Sequence, residues 1–161
     1  MTIEIERKFL LRDVPSVENL GPGVHIRQGY LAEDGVVEVR VRITADHASI
    51  TVKAGTGLSR TEVDLPVTLA QAEALWTHTH GRRIDKTRHR VTLTATLDEK
   101  PGLLAEVDVY GGDLEGLFVV EVEFDSEHGA TAFSPPAWFG REVTGEQGWS
   151  NAALAKHGYP E

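Results

Sequence analysis

Two pairs of glutamates stand at alternate positions in segments that alternate polar and apolar residues. Glu4 and Glu6 precede Lys8 near the start of the chain, and Glu121 and Glu123 flank Val122 further along. Side chains two residues apart on a strand project from the same face, so each pair presents two carboxylates together. Carboxylate oxygens suit hard cations such as Mg²⁺ or Mn²⁺, and Mg²⁺ usually combines one or two carboxylates with phosphate oxygens and water. The two pairs therefore indicate a divalent-cation site that takes a phosphate-bearing ligand.

Basic side chains follow the same alternation. Arginine binds phosphate through two parallel hydrogen bonds, and lysine binds it as a point charge. Of the 16 lysines and arginines, seven lie on charged strand faces: Lys8, Arg40, Arg42, Lys53, Arg60, Lys86 and Arg88. The combination of these bases with the paired glutamates favours a metal-bound polyphosphate as the ligand.

The elements that carry these charges are predicted to be short strands joined by tight turns. Period-2 alternation, which is typical of strands, runs through 3–9, 24–31, 36–43, 49–54, 60–65, 84–93, 106–110 and 120–124. Turn signals such as Asp34-Gly35 and Gly111-Gly112 separate them. The pattern predicts an antiparallel all-β sandwich or barrel, α+β by content because helices are expected at 68–78 and 151–157. No repeat or linker divides residues 1–161, so we expect a single domain.

The charged faces have two interpretations. They are either solvated outer faces over an apolar core, or the inner wall of a closed barrel whose apolar outside is covered by helices and loops. Nearly every strand places two or three charges in register at its centre, which favours the inner wall. Burying so many charges dry would cost several kcal/mol per ion, so the interior must hold water and ligand. The formal charges of the inward basic and acidic residues sum to about −2. Two divalent cations would bring the net charge of the interior to about +2, which would favour binding of a polyphosphate.

Composition excludes several classes of protein and site. The net charge of −9 argues against nucleic acid and anionic membranes as partners, and the absence of cysteine excludes disulfides and thiolate chemistry. No apolar run is long enough to span a bilayer, and the charged N-terminus does not resemble an export signal, so a cytoplasmic location is expected. Residues 55–60 are predicted to form a hairpin turn, and His78 and His80 to lie on the surface. Trp76, Trp138 and Phe139 are expected to lie in the core or to cover the barrel.

The ordered motifs resemble the CYTH family, the triphosphate tunnel metalloenzymes, and the short length resembles its compact bacterial branch. The N-terminal Glu4-Ile5-Glu6-Arg7-Lys8 is similar to the family signature. The resemblance covers almost the whole chain, through Gln28-Gly29-Tyr30-Leu31, Val39-Arg40-Val41-Arg42, Thr51-Val52-Lys53, Ser59-Arg60-Thr61-Glu62, Asp85-Lys86-Thr87-Arg88, Glu106-Val107-Asp108-Val109-Tyr110, Gly116-Leu117, Val120-Glu121-Val122-Glu123, Gly140-Arg141-Glu142-Val143-Thr144 and Ser150-Asn151-Ala152-Ala153-Leu154.

The resemblance implies an eight-stranded antiparallel closed β-barrel tunnel with a charged interior and a few peripheral helices. It implies a triphosphate substrate and bound Mg²⁺ or Mn²⁺. At matching positions the metal ligands are Glu4, Glu6, Glu121 and Glu123, with Asp108 and Glu62 near them. The phosphate-binding residues are Lys8, Arg40, Arg42, Lys53, Arg60, Lys86 and Arg88. A lysine–tyrosine pair that activates water carries over to Lys8 and Tyr30.

The predicted function is metal-dependent hydrolysis of a triphosphate, with inorganic tripolyphosphate as the first candidate. Three alternatives stay open: an adenylyl cyclase of the CYTH type, a thiamine triphosphatase, and a non-catalytic sensor that binds polyphosphate or nucleotide. Two segments depart from the family pattern and bear on substrate preference, Gly148-Trp149 before Ser150-Asn151 and Lys53-Ala54-Gly55 in place of Lys-Gly. The sequence does not fix the oligomeric state, and a homodimer is compatible with it.

Overall fold

The computed structural model describes residues 2–11, 19–93 and 102–160. Nine strands are present in these residues: β1 (Thr2–Leu11), β2 (Gly23–Glu33), β3 (Val37–Ile43), β4 (Ala48–Ala54), β5 (Ser59–Val67), β6 (Arg83–Thr92), β7 (Leu104–Tyr110), β8 (Phe118–Glu123) and β9 (Phe139–Glu142). The helices are α1 (Leu69–Trp76), α2 (Glu127–Ala132) and α3 (Asn151–His157), with short 3-10 helices at Gly112–Leu114 and Gln147–Trp149. None of the helices within these residues has the length and apolar character needed to cross a membrane.

Eight of the strands close into an antiparallel barrel, which confirms the prediction. Their order is β5-β4-β3-β2-β6-β7-β8-β1, and pairing of β1 with β5 closes the ring. Strand β9 pairs with Phe9 and Leu11 of β1, beyond the stretch of β1 that pairs with β5. Because directly opposite residues of paired strands share a face, the register decides which charges meet inside. The inward-facing space is called the lumen below.

The apolar outer faces of the strands are covered by helices and loops. On β1, β7 and β8, outward residues pack under α2, β9 and Leu20, and Trp138 and Phe139 belong to this covering layer as predicted. On β3 and β4, outward residues pack under α1, and Trp76 lies there as predicted. This covering is what allows the charged faces to turn inward.

Helix α1 is shorter than the predicted 68–78. Thr68 is its N-cap, in a capping box with Gln71, and Thr77 is its C-cap. The helix ends because Thr79 tightens the last turn: its backbone N–H and its hydroxyl both donate to the Trp76 carbonyl. His78 and His80 are exposed, as predicted. Helix α3 has the predicted bounds, while α2 and β9 were not predicted, because each is short and neither shows a clear hydrophobic period.

One arginine ties the covering layer to the barrel. Arg7, on the outer face of β1, donates to both carboxylate oxygens of Glu142 on β9, at 2.8 and 2.7 Å. It also donates to the carbonyls of Ala130 and Phe133, at 2.9 and 2.8 Å. This guanidinium therefore holds α2 and β9 in place beside the strand that carries Glu4, Glu6 and Lys8.

Candidate active site

A cavity of about 1370 Å³ occupies the lumen and its mouth. It exceeds the roughly 300–1,000 Å³ of most small-ligand pockets, so an extended and hydrated anion can enter. Asp125 and Glu146 line it from outside the strands, and the other acidic, lysine and arginine residues of the lining are carried by strands of the barrel: Glu4, Glu6, Lys8, Glu33, Glu38, Arg40, Arg42, Lys53, Arg60, Glu62, Arg88, Arg90, Glu106, Glu121 and Glu123. The turn at 55–58, which joins β4 to β5 as predicted, also lines it in part, and Trp149 lies in the lining near α3.

The lumen is layered along β1 and β8. Glu6 is paired with Glu123, Lys8 with Glu121, and Leu10 with Val119, in successive steps along the two strands. The charged layers thus give way to an apolar layer, where Leu10 and Val119 pack with Leu154 of α3. The register of β1 and β8 therefore sets three successive layers. The first is formed by the two carboxylates of Glu6 and Glu123, the second by Lys8 and Glu121, and the third by the apolar Leu10 and Val119.

Six of the seven predicted phosphate-binding residues line the cavity. These six are Lys8, Arg40, Arg42, Lys53, Arg60 and Arg88. The Nε groups of Arg40, Arg42 and Arg60 are buried and have no hydrogen-bond partner within the described residues. Nearby Arg40, burial and Arg88 together lower the pKa of Arg42 to about 10. Three guanidinium groups with an unsatisfied Nε, of which Arg40 and Arg42 repel each other, form a site for an anion, because an anion would satisfy the donors and offset the repulsion.

Several basic residues of the lining, Arg60 among them, are already engaged with carboxylates through their terminal nitrogens. Lys8 lies 3.2 Å from Glu121, and Lys53 contacts both Glu4 and, at 2.9 Å, Glu62. Arg60 lies 3.4 Å from Glu38. These pairs keep the charged lumen stable before a ligand arrives.

Beneath the cavity, Arg88 joins a buried cluster that contains the seventh predicted residue. Lys86 is fully enclosed and donates to Asp108 at 2.5 Å, and Arg88 donates to Asp108 and to Glu121, each at 2.6 Å. Burial lowers the pKa of Lys86 to about 8, although Asp108 opposes the shift. Burial alone would raise the pKa of Asp108, but Arg88 and Lys86 outweigh it and hold that pKa below its ordinary value. Lys86 therefore lies behind the cavity wall.

The six predicted metal ligands divide into two groups. Glu4, Glu62, Glu121 and Asp108 are engaged by lysines and arginines as described above. The carboxylates of Glu6 and Glu123, by contrast, have no hydrogen-bond or ion-pair partner among the residues that the structure describes, although the two residues face each other across β1 and β8. Burial and the neighbouring Glu121 raise the pKa of Glu6 to about 7. Burial and the carboxylates of Glu4, Glu106 and Glu62 raise the pKa of Glu123.

This unpaired couple fits a divalent cation. Like charges directly opposite each other destabilise a sheet, and a cation between them would reverse the sign of the interaction. Within the described part of the chain, no three acidic or histidine side chains already converge as a complete metal site. Mg²⁺ in proteins usually binds one or two carboxylates and completes its coordination shell with phosphate oxygens and water. Of the six predicted carboxylates, Glu6 and Glu123 are therefore the two that are free to hold a cation.

Lys8 and Tyr30 lie on opposite walls of the barrel. Three strands separate β1 from β2 in either direction around the ring. Lys8 lines the cavity, whereas Tyr30 is only 1% exposed and lies behind Arg40, its directly opposite residue on β3. Burial raises the pKa of Tyr30 well above its ordinary value, so the hydroxyl stays protonated. Lys8 therefore reaches the cavity, whereas Tyr30 lies within the opposite wall, and their joint role stays a prediction.

Sequence reasoning passed over two residues that shape this site. Gln28 lies one alternation before Tyr30 on β2 and is fully buried between Tyr30 and Arg42. Tyr110 lies under the Lys86 ammonium, 5.5 Å from it, and donates to Asn151 of α3 at 2.5 Å. The sequence did contain a signal for Gln28, because strand alternation places it on the same face of β2 as Tyr30. The partner of Tyr110 lies 41 positions further along the chain and could not be read locally.

Comparison with known proteins places the chain in a family. No family model matches it. An inorganic triphosphatase of Nitrosomonas europaea is 44% identical over 153 residues, covering 94% of this chain and 96% of that protein. An inorganic triphosphatase of Acetivibrio thermocellus is 34% identical over 158 residues, covering 97% and 95%. A crystal structure of an inorganic triphosphatase matches with a TM-score of 0.68 at 40% identity and covers 99% of both chains. With this identity over nearly the full length, and with a closed barrel around a charged lumen, the chain belongs to the inorganic triphosphatases of the triphosphate tunnel (CYTH) family.

Proposed function

We propose that the protein hydrolyses inorganic tripolyphosphate to pyrophosphate and orthophosphate inside the lumen. The observation that carries the proposal is the meeting, in one cavity, of three arginines with unsatisfied Nε groups and a pair of unpaired carboxylates. An extended polyanion with its own divalent cation satisfies both sets at once, whereas a single orthophosphate reaches fewer of the bases. The relatives named inorganic triphosphatase support the same substrate.

The residues of the lining divide the work of binding. Arg40, Arg42 and Arg60 receive phosphate oxygens, since their Nε donors are free. Lys8, Lys53 and Arg88 supply further positive charge and can exchange carboxylate for phosphate contacts. Lys86, from behind the wall, contributes its charge without contact. These groups are fixed by the barrel before the reaction, so they stabilise charge on the transferring phosphoryl group with little reorganisation.

A divalent cation, Mg²⁺ or Mn²⁺, fits beside the unpaired carboxylates. Glu6 and Glu123 would hold it directly, and Glu4, Glu62, Glu121 and Asp108 would supply negative charge around it. When bound, such an ion neutralises phosphate oxygens and makes phosphorus more open to attack. Lys8 and Tyr30 would orient the attacking water from opposite walls, with Lys8 presenting positive charge and Tyr30 a hydroxyl proton.

Phosphate release from tripolyphosphate by the purified protein tests this function. With Mg²⁺ or Mn²⁺ we expect one orthophosphate and one pyrophosphate per turnover, and after stripping with EDTA we expect turnover to stop and to return when Mg²⁺ is restored. ATP and thiamine triphosphate, assayed in parallel, should react more slowly, because a bulky group on the terminal phosphate must stay at the mouth. Conversion of ATP to a cyclic nucleotide would instead identify a cyclase. Tight binding of all three ligands without turnover would identify a sensor.

A further inference from the structure

A buried glutamine links a phosphate-binding arginine to Tyr30. The side chain of Gln28 is 0% exposed. Its Oε1 accepts from Nη2 of Arg42 at 3.3 Å, and its Nε2 donates to the hydroxyl oxygen of Tyr30 at 2.6 Å. The register of β2 and β3 places Gln28 directly opposite Arg42 and Tyr30 directly opposite Arg40, on the same inward face. Arg42, Gln28 and Tyr30 thus form one continuous hydrogen-bonded chain.

The arginine decides which way the amide of Gln28 points. A guanidinium group has only donors, so the amide atom that faces Arg42 must be the oxygen, and the amide nitrogen must then face Tyr30. The hydroxyl oxygen of Tyr30 therefore acts as an acceptor toward Gln28. The positive charge of Arg40 also acts on this hydroxyl. Neither neighbour can accept a proton from Tyr30.

The proton of Tyr30 is left without a partner in the protein. A tyrosine hydroxyl carries one proton to donate and two lone pairs to accept with. In residues 2–11, 19–93 and 102–160 the only hydrogen bond that the geometry assigns to this hydroxyl is the one it accepts from Gln28. The side chain is 1% exposed, so bulk water does not satisfy the donor either. A buried donor without an acceptor is costly, and an oxygen atom of a ligand between Arg40 and Arg42 would relieve that cost.

We propose that Gln28 is a positioning residue that, held by Arg42, keeps Tyr30 as a hydrogen-bond donor toward a phosphate chain bound between Arg40 and Arg42. The inference rests on the proposed triphosphatase function. It gives Tyr30 the role of a proton-donating contact, not of a base. Burial, which raises the pKa of Tyr30, acts in the same direction because it keeps the hydroxyl protonated. Arg42 thereby serves two purposes, as a phosphate ligand and as the group that orients the amide.

A double-mutant cycle between Gln28→Met and Tyr30→Phe tests the inference. Methionine keeps the length of the side chain and removes both hydrogen bonds. We expect Gln28→Met to lower kcat about tenfold and Tyr30→Phe about 10²-fold, with smaller changes in KM. The double variant should match Tyr30→Phe within about twofold, because Gln28 acts on catalysis only through that hydroxyl. A residue with a purely structural role would instead give effects on kcat that multiply.

Gln28→Glu provides a second variant with the wild-type shape. A carboxylate accepts and cannot donate, so it would draw the Tyr30 proton away from the ligand, and kcat should fall at least as far as in Gln28→Met. Thr51→Val is the matched control: Thr51 is a buried lumen residue whose hydroxyl donates to Asp64 at 2.7 Å, and its loss should leave kcat near wild type. Multiplicative losses in folded variants, or wild-type kcat in Gln28→Glu, would overturn the role of Gln28. An inactive wild-type protein would overturn the proposed function itself.

Discussion

Replacing Glu6 with glutamine should lower kcat on tripolyphosphate by about 10²-fold or more, and Glu123→Gln should do the same. Glutamine keeps the shape of the side chain but removes the negative charge that holds a hard cation. A bound metal contributes several kcal/mol to phosphoryl transfer, and each 1.4 kcal/mol is about tenfold in rate. The Mg²⁺ concentration needed for half-maximal activity should also rise. Steady-state kinetics over a series of Mg²⁺ concentrations measures both effects.

Two controls separate the loss of metal binding from a loss of folding and from the mere removal of a carboxylate in the cavity. Because Glu6 is unpaired and lies opposite another glutamate, neutralising it should not lower the melting temperature of the ligand-free protein. Glu33→Gln removes a carboxylate from the same cavity lining, at the end of β2, and should leave kcat near wild type. If both Glu6→Gln and Glu123→Gln kept wild-type kcat and Mg²⁺ demand, this pair would not be the metal site.

Arg42→Ala should raise KM for tripolyphosphate by about 10- to 100-fold, with a smaller decrease in kcat. A hydrogen bond to a charged group contributes about 1.5–3 kcal/mol, and Arg42 offers an unsatisfied Nε together with a full charge. Loss of binding in the ground state appears mainly in KM. Arg42→Lys should recover only part of the loss, since an ammonium group cannot form two parallel hydrogen bonds to phosphate.

Arg42→Ala should weaken ligand binding without destabilising the ligand-free protein. The pKa of Arg42 is lowered to about 10, chiefly by Arg40, so its charge is disfavoured in the folded state. Removing it should leave the melting temperature of the ligand-free protein unchanged or higher, while weakening the stabilisation that tripolyphosphate confers. Arg141→Ala, which removes an exposed arginine paired with Glu146, is the control and should leave KM unchanged. An unchanged KM in Arg42→Ala would exclude Arg42 from phosphate binding.

The strands and their inward charges could be predicted from the sequence because a strand repeats every two residues. Glu4, Glu6 and Lys8 share a face for that reason alone, and the register then brings Glu6 to Glu123. Closure of the barrel was inferred from the charges that nearly every strand places in register and from the family resemblance, and β1–β5 pairing confirms it.

The state of each charge could not be predicted from the sequence. Alternation assigns Lys53 and Arg42 to the same lumen, but only the three-dimensional arrangement shows that Lys53 is engaged by Glu4 and Glu62 while the Nε of Arg42 is free. Lys86 shares its face with Arg88, yet it lies behind the cavity wall because Asp108 and Tyr110 enclose it. Pairing between distant strands decides these differences, and no local pattern records it.

The central claim is that a metal-bound triphosphate occupies the lumen between the arginines and the unpaired carboxylates. A crystal structure with Mn²⁺ and a non-hydrolysable tripolyphosphate analogue, using the anomalous signal of manganese, tests it most directly. We expect a manganese peak between the carboxylates of Glu6 and Glu123, and phosphate oxygens in contact with Arg40 and Arg42. A manganese peak or analogue bound only outside the barrel, with these four side chains unchanged, would contradict it.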